Sequence, residues 1–289
     1  VPVKTFFAGL LLALLTACGG GGAGSGTPGT IQTLGDARPM FYGYYLGCTD
    51  YAVEQGGKAN LWWAAQACGS GGFGAGWPEA VAASLLAARA AGVAGCAVLH
   101  LPDRQVYAGP DAVATVGAYL HRLAATGMLR GWPCLVLYPV DEPDRAGLDD
   151  ATINTGNAAL RAVVADIPEL KSAPLAVFYA CATGATPGFA SFNWVGCDDY
   201  NRGCNVTSAW DGYIARMAPG QVLMAISGGY SGARQDPTCF KLWASNQRAP
   251  VVLIGFTWQA TDAGAGIRDD AKLRPIYESL GRWVLGSGP

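Results

Sequence analysis

Histidine is nearly missing: His100 and His121 are the two in a chain of 289 residues. A multi-histidine metal centre is thereby excluded, and no C-x-x-C pair is present to build a cysteine one. Carboxylate-bound calcium stays open on these grounds. Charge is also scarce, at 14% of residues, with a formal net charge of −2 and no basic run. Nucleic acid is therefore not an expected partner. The Gly-rich stretch from Gly69 to Gly76 makes no immediate strand-to-helix turn, so a phosphate-binding turn is not read there. Ser227 has neither a G-x-S-x-G elbow nor a paired histidine, which argues against acyl transfer by serine. No cofactor is expected.

What the chain does hold is apolar and aromatic material, with nine tryptophans and twelve tyrosines. Most of these belong in a core, but flat aromatic faces also stack on pyranose rings. The beginning reads as an export signal over residues 1–18. Lys4 supplies the positive charge, Phe6 to Leu15 the apolar segment, and Leu15-Thr16-Ala17-Cys18 the processing site. The apolar segment is too short to span a bilayer as a helix. The tetrapeptide resembles the bacterial lipobox, which implies lipidation of Cys18 and attachment to a membrane. Gly19 in place of Asp after that cysteine, by similarity to the enterobacterial sorting rule, implies the outer membrane, on its periplasmic or cell-surface face. Residues 19–37 are a Gly/Ser-rich flexible tether.

From residue 38 to residue 289 a rhythm sets in. Eight apolar runs stand at Phe41–Gly47, Leu61–Ala65, Cys96–Leu101, Leu135–Val140, Leu175–Ala180, Phe192–Cys197, Val222–Ser227 and Val251–Trp258. Helical patterns lie between several of them, at Pro78 to Gly92, Asp111–Ala125, Asp150–Val164, Ser208–Met217, Asp236–Ser245 and Asp269–Leu285. The links after the first and fifth runs read as loops. Strand-helix alternation of this kind predicts a parallel sheet. The segment is close to the length of a (β/α)8 TIM barrel, here with some helices replaced by loops. A doubly wound open sheet is the alternative. One domain, and a monomer, are expected.

Active sites of such barrels collect at the carboxyl ends of the strands. The fourth run ends in Asp141-Glu142-Pro143, where the proline closes the strand. The sixth ends in Asp198-Asp199-Tyr200, and strand alternation admits at most one of that acid pair to the lumen unless the strand has broken. Glycoside cleavage needs a proton donor and a second group facing the developing positive charge. Glu142 is the candidate donor, with Asp141, Asp198 or Asp199 as the second group. Trp258, Tyr200, Tyr179, Trp62, Asn60, His100 and Tyr44, on or beside the other runs, are candidate sugar-binding residues.

The layout resembles the TIM-barrel glycoside hydrolases. In their large retaining clan a Glu ending strand four is the acid/base, which maps onto Glu142. That clan has Asn where this chain has Asp141, and a nucleophilic Glu on strand seven where this chain has Ser227-Gly228-Gly229. The adjacent acids resemble the hexosaminidase type, which implies that Asp141 steadies a substrate acetamido group while Glu142 protonates the leaving oxygen. The chitinase type is echoed by Glu142, Asp199-Tyr200 and Trp258, although its D-x-D-x-E run is here Tyr138-Pro139-Val140-Asp141-Glu142. The resemblance implies a carbohydrate substrate. A non-catalytic glycan-binding or envelope-structural lipoprotein on a degenerate barrel is the other expectation.

Eight cysteines follow Cys18, an even number that in an exported chain points to disulfides. Cys197–Cys204 and Cys48–Cys68, on short or neighbouring links, are the expected bridges. Cys96 and Cys134 are either buried thiols or a third bridge.

Overall fold

A computed structural model describes residues 39–45, 49–64, 74–180, 184–198, 212–230, 233–234, 251–258, 260 and 265–287. Nine strands are present among the described residues: β1 (Phe41–Tyr44), β2 (Leu61–Ala64), β3 (Cys96–His100), β4 (Cys134–Asp141), β5 (Leu175–Ala180), β6 (Trp194–Asp198), β7 (Val222–Tyr230), β8 (Ala233–Arg234) and β9 (Val252–Phe256). Apart from β8, which pairs antiparallel with β7, they run parallel in the order β1-β9-β7-β6-β5-β4-β3-β2. The eight predicted runs are thus the eight staves of a nearly closed (β/α)8 barrel.

Five helices accompany them among the described residues: α1 (Ala52–Gln55), α2 (Trp77–Ala90), α3 (Pro110–Ala125), α4 (Asp150–Val163) and α5 (Leu273–Val284). Pro110 opens α3 at a position whose N–H has no intrahelical partner to lose. Asp149 caps α4, its side chain accepting from the Thr152 N–H at 2.8 Å. The short α1 follows the first run, where a loop was expected. The predicted helix at Asp236–Ser245 and the first four residues of that at Ser208–Met217 lie outside the described residues, and residues 212–214 are helical.

Strand alternation sorts the apolar side chains into two cores. One lies between the strands and the helices and includes Trp62, Leu99, Leu137, Val177, Val195 and Leu253. The other fills the lumen with Leu61, Trp63, Val98, Val136, Tyr138, Phe178, Met224 and Ile254. Glycine appears where the lumen is crowded. A Cβ on Gly196 would stand 2.4 Å from the Phe178 ring, and one on Gly43 would stand 2.3 Å from the Leu61 carbonyl oxygen.

Closure between β1 and β2 depends on Asn60. Its Oδ1 accepts from the Tyr42 N–H at 2.8 Å, its Nδ2 donates to the Met40 carbonyl at 2.9 Å, and its own N–H donates to the Tyr42 carbonyl at 3.0 Å. Register pairs link every other neighbouring pair of staves, but none links these two among the described residues.

Cys96 and Cys134 are register partners on β3 and β4 and form a disulfide across the lumen floor, with Cα atoms 4.5 Å apart. Of the two alternatives for this pair, the bridge is present. Cys197 is also disulfide-bonded. Cys204, its expected partner, lies outside the described residues, as do Cys48, Cys68 and Cys18.

Candidate active site

Strand β4 positions the acids, and it does so through an irregularity. Its register with β5 runs from Leu137↔Leu175 to Val140↔Val177, so three steps on β4 match two on β5. Pro139 sits in that gap. It has no N–H to give the ladder, and proline inside a sheet is tolerated at such bulges. The extra residue reverses the alternation. Leu137 and Val140 both face the helices, while Tyr138 faces the lumen. Asp141 therefore points inward, where an unbroken strand would have turned it out.

Both Asp141 oxygens are occupied by phenols. Tyr138 Oη donates to Oδ1 at 2.5 Å, and Tyr45, just beyond β1, donates to Oδ2 at 2.7 Å. The Asp141 N–H donates to Asp103 Oδ1 at 3.3 Å. Burial pushes the Asp141 carboxyl above its ordinary range, and the two phenolic hydrogen bonds draw it part of the way back.

The strand breaks at Glu142, which adopts φ +43°, a left-handed conformation that is costly for a residue with a side chain. The Glu142 carboxyl lies 3.0 Å from the Arg145 guanidinium, with Asp198, at the end of β6, as a further acid neighbour. Burial first and the Asp141 charge second raise Glu142 above the usual carboxylate range, with Arg145 and Asp198 offsetting part of the rise.

Beneath the acids lies an aromatic stack. Trp63 packs against Tyr45 and Tyr138, each with ring centroids 4.7 Å away, and Phe178 and Phe256 extend the group. His100 joins it 5.0 Å from Tyr138, its Nδ1 accepting from the Trp63 indole N–H at 3.2 Å. Burial pushes the imidazole down to about 4, so His100 is neutral near pH 7.

Of the expected site residues, the structure brings together Glu142, Asp141, Asp198 and His100. It takes five others elsewhere. Trp62 faces the helix layer and donates to Ser84 on α2 at 2.8 Å. Tyr179 likewise faces outward, its hydroxyl on the Pro187 carbonyl at 2.8 Å. Tyr44 and Trp258 pack on each other 4.5 Å apart in that same outer core, with the Arg274 guanidinium of α5 over the indole. Trp258 and Trp62 are fully buried there and offer no face for a sugar to stack on. Asn60, at the start of β2, is at the amino-terminal end of the barrel, opposite the acids. Asp199 and Tyr200 lie outside the described residues. Sequence reading missed Tyr45, Trp63, Tyr138, Phe178, Phe256 and Asp103. Parity would have found Trp63, the inward neighbour of Trp62, and Pro139 marked the bulge that turns Asp141 inward.

A parallel eight-stranded barrel with acids clustered at the carboxyl ends of strands four and six is a glycosidase-like TIM barrel in architecture. Among solved structures the chain is similar to a β-1,3-glucanosyltransferase from Rhizomucor miehei, at TM-score 0.54 and 12% identity, covering 79% of this chain and 92% of that one. It is similar to an endo-β-N-acetylglucosaminidase from Cordyceps militaris at TM-score 0.51 and 10% identity, covering 91% and 97%. A D-psicose 3-epimerase matches at TM-score 0.52 and 12% identity, covering 86% and 100%. At such identities the likeness shows the fold. No family model and no curated protein matches the chain by sequence.

Proposed function

We propose that the protein is a glycoside hydrolase acting on a polysaccharide or other glycan, with Glu142 as general acid. The observation that carries this reading is the grouping of Glu142 and Asp198 with the phenol-bound Asp141 at the carboxyl ends of β4 and β6. A proton held on Glu142 is available to a leaving glycosidic oxygen. The Asp141 charge faces the positive charge that develops on the departing sugar. Water then adds at the anomeric carbon, and its released proton restores the acid. The likeness to the two glycan-processing neighbours supports the substrate class.

The glycan-binding alternative also has an observation in its favour. In the carboxyl-terminal half of β7 Ser227 faces outward, within 2.8 Å of the Tyr277 hydroxyl, and two glycines follow where a nucleophilic carboxylate would stand. A reaction assisted by the substrate's own acetamido group needs no such second carboxylate.

A panel of natural glycans assayed with wild type and Glu142→Gln separates the two readings. A general acid contributes roughly 10²–10⁴-fold, so turnover should fall by that factor while glycan binding survives. Activated aryl glycosides, which need little protonation, should lose less. Equal rates for the two proteins on natural glycan would remove Glu142 from the chemistry.

A further inference from the structure

Asp141 is held in an unusual way for a carboxylate at a reaction centre. Its two oxygens accept from two phenols of different origin, Tyr138 from its own strand and Tyr45 from just beyond β1. Neither ring is free to swing. Tyr138 is fully buried and touches the rings of Trp63, His100 and Phe178, and Tyr45 is wedged between Trp63 and Phe256. The backbone on the other side is fixed as well, with the Asp141 N–H on Asp103 and the left-handed turn at Glu142.

We propose that Tyr45 and Tyr138 are positioning residues for the proton donor: together they clamp Asp141 as the ionised member of the acid cluster, and that fixed anion keeps the proton on its neighbour Glu142. The proposal rests on the glycosidase reading above only for its use in turnover; the clamp itself is a property of the resting protein.

Three carboxyls within one mouth cannot all ionise at similar pH, because each charge penalises the next. Which of them ionises is decided by hydrogen bonds to the charged form. Asp141 receives two from phenols, and a phenol donates to a carboxylate more strongly than to a carboxylic acid. Glu142 has the exposed Arg145 as its cationic partner; the Asp141 charge disfavours its ionised form, and Asp198 offsets part of that effect. Asp103 faces Asp141 from the loop after β3 and is paired in turn with Arg104 at 3.3 Å. His100 is neutral and adds no compensating charge. Removal of both phenolic hydroxyls leaves the burial of Asp141 intact and takes away what stabilises its anion. The proton then moves to Asp141, and Glu142 is released to ionise at lower pH.

The test is a carbon-13 carboxyl titration of the whole protein, with the Glu142 signal assigned through its loss in Glu142→Gln. Tyr45→Phe, Tyr138→Phe and the double variant keep the rings, and the neutral isostere Asp141→Asn removes the anion directly. The expected result is a fall in the Glu142 midpoint by about one pH unit in the double variant, smaller falls in each single one, and a fall of the same sign in Asp141→Asn. On a cleavable glycan the alkaline limb of kcat/KM should move to lower pH by the same amount. An unchanged Glu142 midpoint in folded Tyr45→Phe and Tyr138→Phe overturns the clamp, as does an unchanged midpoint in Asp141→Asn. Because the titration is read without turnover, it judges the clamp even if Glu142→Gln has already removed the glycosidase reading.

Discussion

A neutral imidazole sealed among aromatic rings makes His100 the residue through which acid reaches the fold. Its folded value lies near 4, against about 6.5 for an unfolded histidine. The unfolded chain therefore takes up this proton first, and acid favours unfolding across that window by about 3 kcal/mol in total. Asp141 and Glu142 work in the opposite sense: both are raised on folding, so the stability they give is lost as pH rises from the ordinary carboxylate range. His100→Gln should flatten the fall in stability between pH 6.5 and pH 4, as measured by urea unfolding along a pH series. An acid slope identical to wild type would show that the imidazole is not responsible.

At the scale of elements, the strand positions were legible because buried parallel strands read as continuous apolar runs, and all eight runs became staves. Side-chain direction was less legible. Trp62 and Trp63 stand side by side in one run, and only the parity of Leu61 and Ala64 around them tells which ring enters the lumen. Asp141 was harder still, since a bulge reverses the alternation and Pro139 is its one mark in the sequence. Asn60 is a polar residue before a strand and looks like a site residue; its work at the seam depends on a partner strand that sequence does not display. Asn60→Ala leaves the buried Tyr42 N–H without its acceptor and should cost about 2–4 kcal/mol, measurable in chemical unfolding. The amino-terminal position of the seam means that the acid cluster should titrate as in wild type.

For the molecule as a whole, the exported and lipid-anchored state is a proposal drawn from Leu15-Thr16-Ala17-Cys18. Intact-mass measurement of membrane-extracted protein should give a mature chain that begins at a diacylated Cys18, and an unmodified terminus or cleavage elsewhere would end the proposal. The Cys96–Cys134 bridge accords with an oxidising compartment.

The joints of the barrel are of unequal strength. β3 and β4 share five register positions and a covalent link, and β7 and β9 share five, whereas among the described residues the hydrogen bonds between β1 and β2 run through one asparagine. A shell built this way has a fault line, and thermal opening begins along it and not at the stapled joint. Tyr45 follows directly on β1, so the stave beside the fault also leads to one of the two hydroxyls on Asp141. Whatever spreads the seam pulls on the acid cluster through a single oxygen atom, and the mouth of the barrel thereby feels the weakest line in its wall.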